Sequence, residues 1–169
     1  MNYYQSRIAI DTAELLEELK RLYEEESGVT ITKGNVIMKA YEDSLWVKEE
    51  EWTEIHGRKI KLPNHYEISP NSLKLRIQIS KEVEQGIKDL KDLLPSILKV
   101  RSVTIGVCIR LILKAAYIKN VELGDLKSKE LGTMINRYKE EVKSSFDDEI
   151  SEKIIVLLDK LEAELEDKF

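Results

Sequence analysis

Three side chains that can hydrogen-bond to nucleic acid alternate with apolar residues in the segment 73–80. Because neighbouring side chains of a β-strand point to opposite faces, Lys74, Arg76 and Gln78 would share the outer face of a strand whose apolar residues cover a core. In a DNA major groove, arginine can read guanine, glutamine can read adenine, and a two-stranded ribbon fits. The same alternation is typical of an ordinary half-exposed strand, so one such strand does not indicate DNA binding.

A second segment, residues 5–11, repeats the pattern near the N-terminus. Gln5, Arg7 and Ala9 would face outward, with the isoleucines Ile8 and Ile10 facing inward. The stretch 7–11 aligns with 76–80 at an offset of 69 residues, and both stretches end in a good N-cap residue, Asp11 or Ser80. Each predicted strand should therefore lead directly into a helix.

Two amphipathic helices are predicted after each strand. Gly28 is expected to end the first helix of the first copy, and Pro95 the corresponding helix of the second. The next helix starts on hydroxyl residues in both copies, and residues 29–40 align with 101–112 at an offset of 72. The same order of elements occurring twice indicates an internal repeat. The apolar stripes are Leu15, Leu16, Leu19, Leu22 and Tyr23 in the first copy, and Val83, Ile87, Leu90 and Leu94 in the second.

The two remaining segments have a different character. Residues 44–72 suggest a strand-rich linker or a β-hairpin with its turn at His56-Gly57. After Asn120, two acidic amphipathic helices are predicted over residues 126–143 and 148–167. These helices must pack on each other, on the rest of the chain or on a second chain, and their spacing does not distinguish these alternatives.

The composition limits the classes of function that the chain can have. The chain has 169 residues and one cysteine, Cys108, so an intrachain disulfide is impossible and a reducing cytoplasm is expected. The N-terminal residues lack the apolar core of a signal peptide, and the most apolar run, 103–118, is too short to span a membrane. Neither histidine has a second metal-type ligand at a suitable spacing, and no phosphate loop or nucleophile motif occurs. We expect no enzyme activity, no metal site and no cofactor.

The charge is unevenly distributed along the chain. The formal net charge is −5, which argues weakly against nucleic acid as a partner. Residues 73–120, however, contain 10 lysines and arginines against 4 acidic residues, whereas residues 121–169 contain 8 against 14. A basic block therefore begins at the second predicted strand, which favours DNA contact there.

This order of elements resembles the ribbon-helix-helix family of DNA-binding proteins, the Arc/MetJ type, over residues 5–43 and 73–119. The layout is also similar to the TraY-like conjugation accessory proteins, in which one chain supplies both halves of the ribbon. The resemblance implies a mainly α-helical α+β fold in which two tandem motifs form an intrachain pseudo-dimer with a helical extension. The implied segments are a first motif at 1–43, a linker at 44–72, a second motif at 73–120 and an acidic extension at 121–169.

The resemblance also implies two sets of DNA-contacting residues. The outward strand positions would contact bases, and the starts of the second helices would contact phosphates. This sequence departs from the family at Ala9, which offers no hydrogen bond, at Gly34 and Gly106, which weaken the helix starts, and in a longer first loop. The ribbon would be asymmetric, which favours a target with two unlike halves. The base contacts would be Gln5, Arg7, Ala9, Lys74, Arg76 and Gln78, and the phosphate contacts Thr30, Thr32, Lys33, Ser102, Val103 and Thr104.

The expected function is sequence-specific binding of double-stranded DNA, as a transcriptional regulator or as a DNA-organising accessory protein of a plasmid or mobile element. The acidic extension would then serve self-association or a protein partner. The alternative is a protein interaction module or an antitoxin that acts through residues 121–169. The basic block at the second strand favours DNA binding over this alternative.

Overall fold

The computed structural model describes residues 3–167 and shows a mostly helical chain with one small antiparallel sheet. Strand β1 (Tyr4–Arg7) pairs with strand β2 (Lys74–Ile77). In the register of this pair, Gln5 lies opposite Arg76 and Arg7 lies opposite Lys74. The α+β fold class and the antiparallel pairing of the two strands are therefore confirmed.

Both strands bury one face and expose the other. Leu75 and Ile77 of β2 are 4% and 5% exposed, as the alternation predicts. In β1 the inner positions are the half-buried Tyr4 and Ser6, and Ile8 is buried just beyond the strand. The Ile8 N–H donates to the Leu73 carbonyl at 3.0 Å, which extends the pairing by one residue.

Helix α1 (Ile10–Ser27) begins two residues earlier than predicted. Its N-cap is Ala9, so the expected capping by Asp11 is wrong, and Asp11 instead lies in the first turn. Ile10 is 59% exposed rather than inward, because the strand has already ended at Arg7. Gly28 ends the helix in the left-handed conformation, at φ 72°, as predicted. Helix α2 (Lys33–Ser44) follows.

The linker and the second strand–helix–helix segment follow α2. A helical turn, Glu49–Glu51, and helix α3 (Trp52–Gly57) come first, and helix α4 (Lys81–Leu98) follows β2. Ser80 caps α4 by accepting a hydrogen bond from the Val83 N–H at 3.2 Å. Pro95 lies inside the helix, so the prediction that it ends the helix is wrong, and Lys99 at φ 55° is the C-cap.

The two strand–helix–helix segments correspond at an offset of 71 residues rather than 69. Helices α1 and α4 both contain 18 residues, and their first residues, Ile10 and Lys81, are 71 apart. Helix α5 (Ile105–Tyr117) then corresponds to α2 at the predicted offset of 72. The first interhelical loop is residues 28–32 and the second is residues 99–104. The first loop is therefore the shorter one, and the prediction that it would be longer is wrong. Arg7 consequently corresponds to Gln78, and Gln5 to Arg76.

The core lies between the helices of the two halves. Helices α2 and α5 make the most extensive contact between any two elements, and α1 and α4 pack against them. The predicted stripes of α1 and α4 face this core. Its fully buried side chains include Leu16, Leu19, Tyr23, Val36, Ile37, Ile87, Leu94, Ile109, Leu111, Ile112 and Leu113.

The linker contains helical turns and the short helix α3, and no strand occurs within residues 44–72, so the predicted β-hairpin is wrong. His56-Gly57, the predicted turn, forms the end of α3, and a second helical turn, Pro70–Leu73, leads into β2. Trp52 is 7% exposed, and the Trp46 indole N–H donates to the Ala115 carbonyl at 3.1 Å. Both tryptophans therefore anchor the linker to the helical core.

A buried carboxylate holds the end of the linker against α1. The Glu18 side chain is 1% exposed and accepts hydrogen bonds from Arg21 at 2.6 Å, from Asn64 at 3.2 Å and from the Tyr66 hydroxyl. Burial by itself would raise the pKa of Glu18, but these donors outweigh it and hold the pKa below its usual range. The carboxylate is therefore charged, and it connects residues 64–66 to the first helix.

The chain divides into two compact units, Met1–Lys119 and Asn120–Phe169. A π-helical segment, Ile118–Glu122, precedes helix α6 (Leu123–Ser145), and helix α7 (Asp148–Glu166) follows. The predicted break between the helices lies at 146–147, where Asp147 caps α7 by accepting from the Ile150 N–H at 3.0 Å. Helices α6 and α7 pack on each other. The outermost residues of the predicted segments 1–43 and 121–169 lie outside the described residues.

Candidate nucleic-acid interface

The outer face of the two-stranded sheet carries three cations and one amide. Gln5, Arg7, Lys74 and Arg76 are all exposed, as the alternation of the sequence predicts. Their positions follow from the register, which places Gln5 opposite Arg76 and Arg7 opposite Lys74. Side chains directly opposite each other on one face of an antiparallel pair are close neighbours. The sheet therefore gathers these four side chains into one surface patch, called here the ribbon face.

The ribbon face is electrostatically unfavourable by itself. Like charges directly opposite each other, such as Arg7 and Lys74, destabilise a sheet. Among residues 3–167, no carboxylate forms an ion pair with Arg7, Lys74 or Arg76, whereas several helix cations such as Lys20 and Lys139 do form ion pairs. A polyanion bound to this face would remove the repulsion, and phosphate groups are such anions.

Tyr3 belongs to the same surface and was missed in the sequence. The Arg76 guanidinium lies over the Tyr3 ring, with the central carbon 4.2 Å from the ring centroid, and Tyr3 is 47% exposed. This stacking favours one orientation of the guanidinium while leaving its N–H groups accessible. The signal was present, because the outward alternation of Gln5 and Arg7 continues back to Tyr3.

The remaining predicted base contacts lie just beyond the strand ends. Ala9 is exposed and is the N-cap of α1, and Gln78 is exposed between β2 and α4. The methyl group of Ala9 can make only an apolar contact, such as one with a thymine methyl group. The strand ends beside the ribbon face therefore differ in chemistry, with a methyl group at Ala9 and an amide at Gln78.

The second helix of each half begins beside the sheet. A Cβ atom on Gly34, in the first turn of α2, would overlap the backbone carbonyl oxygen of Gln78. A Cβ atom on Gly106, in the first turn of α5, would overlap the carbonyl oxygen of Arg7 in the same way. Since Arg7 and Gln78 correspond at the offset of 71, these are equivalent contacts. Both glycines are needed because a helix start packs directly against the backbone of a strand end.

Two threonines cap these helix starts as predicted. The Thr32 hydroxyl accepts from the Asn35 N–H at 3.2 Å, and the Thr104 hydroxyl accepts from the Val107 N–H at 3.3 Å. The N–H groups of a first helical turn have no intrahelical partner, and the helix dipole is positive there. Arg7, Thr104 and Gly106 line one small hollow, so the start of α5 adjoins the ribbon face. The arrangement suits phosphate groups that flank a bound ribbon.

The other predicted phosphate contacts are less uniform. Thr30 and Ser102 are exposed, in the loops that precede α2 and α5. Val103 is only 9% exposed, so its side chain packs inward and only its backbone could meet a phosphate. The Lys33 ammonium pairs with the Glu17 carboxylate at 2.8 Å, which neutralises the predicted cation.

Beneath the ribbon face the sheet is apolar. The buried hydroxyl of Tyr4 has no hydrogen-bond partner, and burial, followed by the nearby Cys108 and Glu84, raises the pKa of Tyr4 to about 12. Cys108 is fully buried, and burial raises the pKa of its thiol to about 11. Both groups are therefore neutral at physiological pH, and the charge of this region lies on the outer face.

Within the described part of the chain, no group of three His, Cys, Asp or Glu side chains is placed to hold a metal ion. None of the helices in residues 3–167 is long and apolar enough to cross a membrane. In comparisons with known proteins, no family model, curated protein sequence or solved structure matches this chain.

Proposed function

We propose that this chain binds double-stranded DNA as two tandem ribbon-helix-helix motifs, with the ribbon face inserted in the major groove. The observation that carries the proposal is the ribbon face itself, where Arg7, Lys74 and Arg76 are exposed together without carboxylate partners among residues 3–167. A two-stranded ribbon has the width of the major groove, and arginine pairs well with guanine. The helix starts at Thr32 and Thr104 would contact flanking phosphates.

The proposed target has two unlike halves. The offset of 71 makes Gln5 and Arg76 counterparts that face each other at the centre of the ribbon. Arg7 on one side corresponds to Gln78 on the other, so one half favours a guanine contact where the other favours adenine. A symmetric operator would satisfy only one of these side chains, which is why a non-palindromic site is expected. The role would be transcriptional regulation or organisation of DNA on a plasmid or other mobile element.

The test is a band-shift assay on the DNA that flanks the chain's own gene, with a salt titration. The double variant Arg7→Gln and Lys74→Gln should weaken binding to the specific site, because it removes two of the proposed base contacts. The salt titration shows whether these cations also neutralise phosphates, since each phosphate no longer neutralised lowers the slope of log affinity against log salt by about 0.9. The control variant, Lys88→Gln and Lys91→Gln, removes the same charge from the exposed face of α4 and should leave affinity nearly unchanged. Equal weakening in both variants would contradict the proposal.

A second proposed function is self-association through the C-terminal unit. Helices α6 and α7 cover Ile135 between them, yet several large apolar side chains remain exposed. Exposed apolar side chains that form a contiguous patch are typical of a protein contact. The unit is also acidic, which makes DNA an unfavourable occupant. The exposed residues are Leu126, Met134, Tyr138, Phe146, Ile150, Val156, Leu157 and Leu161.

We expect a dimer in which each chain carries a complete ribbon, because paired units gain DNA affinity through effective concentration. Light scattering of the full chain measures this directly. The double variant Leu157→Glu and Leu161→Glu should be monomeric, because it places charges on the exposed apolar residues of α7. Its matched control is Glu152→Gln and Glu164→Gln, which changes exposed α7 residues outside the apolar set and should remain dimeric. A monomeric wild-type chain would contradict self-association without affecting the proposal of DNA binding.

A further inference from the structure

A cavity of about 740 Å³ lies between the first turns of α1, the segment 56–65 and helix α5. Its volume is in the range of pockets that hold small organic ligands. The cavity is separate from the ribbon face, since none of the four residues of that face lines it. Its lining is unusual in charge, with five cationic residues against two acidic ones. The cations are Arg58, Lys59, Lys61, Arg110 and Lys114, and the acids are Asp11 and Glu14.

Arg110 is incompletely paired. Its Nε atom is buried and has no hydrogen-bond partner, and its nearest carboxylate contact is a long one, 3.9 Å from Nη1 to Asp11. An arginine held in this way can present its planar guanidinium to an oxyanion.

Lys114 holds the wall of the cavity in place. Its ammonium donates to the carbonyl oxygens of Ile55, His56 and Arg58 at 3.4, 3.2 and 2.6 Å, which fixes the start of the basic segment 58–61. Lys59 and Lys61 are exposed on that segment and form no ion pair with any residue in the range 3–167. These two lysines are therefore available to contact an anion in the cavity.

Two further features of the lining indicate which kind of ligand the cavity would accept. Leu15, Leu62 and Pro63 give the cavity an apolar wall, which an inorganic ion would not use. Burial, followed by the charges of Arg110 and Lys114, lowers the pKa of His56, as expected for a neutral imidazole beside excess positive charge. The site thus combines a cationic end with an uncharged hydrogen-bonding group and an apolar surface.

We propose that this cavity binds a small phosphorylated organic molecule of nucleotide size, with Arg110, Lys59 and Lys61 contacting the phosphates. Phosphate is favoured over a single carboxylate because the lining has three more positive than negative residues, and phosphates carry more than one negative charge. The inference does not rest on the proposed DNA binding: Lys59 and Lys61 are not among the proposed DNA contacts, although Arg110 also lines the small hollow at the start of α5.

Titration calorimetry of the full chain with ATP, adenosine and inorganic phosphate tests the site. ATP should bind, inorganic phosphate should bind more weakly, and adenosine should show no binding at millimolar concentration. The double variant Lys59→Gln and Lys61→Gln should weaken ATP binding about tenfold, because it removes two phosphate contacts from exposed positions. The matched variant Lys88→Gln and Lys91→Gln, on α4, should bind ATP as the wild type does.

Three results would overturn the proposal. The first is no heat of binding with ATP, and the second is adenosine binding as tightly as ATP. The third is equal weakening in the two double variants, since a general effect of net charge would then explain the binding. A band-shift assay on the same Lys59→Gln and Lys61→Gln variant separates the two proposals. If this variant loses ATP binding but still binds DNA, the cavity acts independently of the ribbon face.

Discussion

The two strand–helix–helix segments of this chain share a backbone and differ in side-chain chemistry. The shared features are those that geometry requires: 18-residue first helices, threonine caps at Thr32 and Thr104, and glycines where a helix start meets a strand end. The C-caps Gly28 and Lys99 both adopt the left-handed conformation, although only the first is a glycine. The fold therefore demands the same backbone in both halves.

The differences lie where the backbone imposes no requirement. Glu18 of α1 is buried in a hydrogen-bonded cluster, whereas its counterpart Asp89 of α4 is exposed. Lys33 at the start of α2 corresponds to Ile105 at the start of α5. Both halves hold the linker, but in different ways. In the first half, the buried Glu18 carboxylate anchors residues 64–66, whereas in the second half α4 and α5 pack on α3 and Lys114 binds backbone carbonyls of residues 55–58. The comparison teaches that the first half relies on a buried charged anchor and the second half on packing and backbone contacts.

The largest expected effect comes from removing the anchor. Glu18→Ala should lower the free energy of unfolding by about 2–4 kcal/mol, because Asn64, Tyr66 and Arg21 lose a buried acceptor together. The counterpart change Asp89→Ala should cost less than about 0.5 kcal/mol, as for exposed sites. Urea unfolding of both variants measures the difference. Similar losses at both positions would mean that the halves do not differ in this way.

The same carboxylate predicts a dependence on pH. Since the folded-state pKa of Glu18 lies below its ordinary value of 4.5, its contribution is fully present above that value and is lost as the pH falls through the lower, folded-state pKa. The stability gap between wild type and Glu18→Gln should therefore narrow as the pH is lowered below about 4.5. Thermal unfolding at a series of pH values checks this, and a gap that stays constant would contradict it.

The glycines test whether the halves are equivalent in packing. Gly34→Ala and Gly106→Ala should each destabilise by about 1–3 kcal/mol, because the added methyl group meets the backbone carbonyl of Gln78 or Arg7. Gly124→Ala, where nothing lies within 4 Å of the new Cβ, should instead stabilise α6 by up to about 1 kcal/mol. Thermal unfolding of the three variants gives the comparison. If Gly106→Ala left stability unchanged while Gly34→Ala lowered it, the two helix starts would not be packed equally against the strand ends.

The ribbon face tests whether the halves differ in readout. Arg76→Ala should cost about 1–3 kcal/mol of specific DNA binding and relax the preference at one base pair near the centre of the site. Arg7→Ala should relax a different position, towards one end. Binding to a set of single-base variants of the site maps both changes. A uniform loss on every DNA sequence would show that Arg76 contacts only phosphate.

The smallest effect concerns the ion pair at the start of α2. Glu17→Gln releases Lys33 from its partner and should strengthen DNA binding by about 0.2–1 kcal/mol at low salt, the usual value of an exposed pair. The control Glu54→Gln makes the same charge change on α3, so it should alter DNA affinity only through the loss of one negative charge from the chain. Titration of labelled DNA measures both. Equal gains would remove Lys33 from the proposed contacts.

Much of the ribbon face could be predicted, because period-two alternation marks the outward positions of a strand without further information. Arg7, Lys74 and Arg76 are exposed for this reason. The threonine caps followed from the hydroxyl residues that begin the second helices. Tyr3 was missed because the alternation was not followed back beyond Gln5.

The errors arose where one residue type suits two positions. An acidic residue is favourable both as an N-cap and in the first turn, so Asp11 did not reveal that α1 starts at Ile10. Aligning Asp11 with Ser80 then produced the wrong offset of 69. Pro95 was expected to end α4, but the helix continues for one more turn to Leu98, without the hydrogen bond that a proline cannot donate to the Lys91 carbonyl.

The linker was misread for a different reason. His56-Gly57 between apolar residues suggested a hairpin turn, whereas the three glutamates 49–51 precede α3 and complement its dipole. The Glu51 carboxylate accepts from the Lys48 N–H at 2.7 Å, a local bond that caps the helical turn Glu49–Glu51 leading into α3. The cavity beside the linker was equally unforeseen, because its lining joins three segments that are distant in sequence and only packing brings them together.

The pairing of β1 with β2 also has a consequence for the order of folding. Residues 8–73 separate the two strands, so closing the sheet requires the ends of a long chain segment to meet. Contacts between neighbouring helices, such as α1 with α2, join residues much closer in sequence and can form earlier. A growing chain on the ribosome would therefore have its first helices long before it has a ribbon. The ribbon face comes into existence only after the second half has been synthesised.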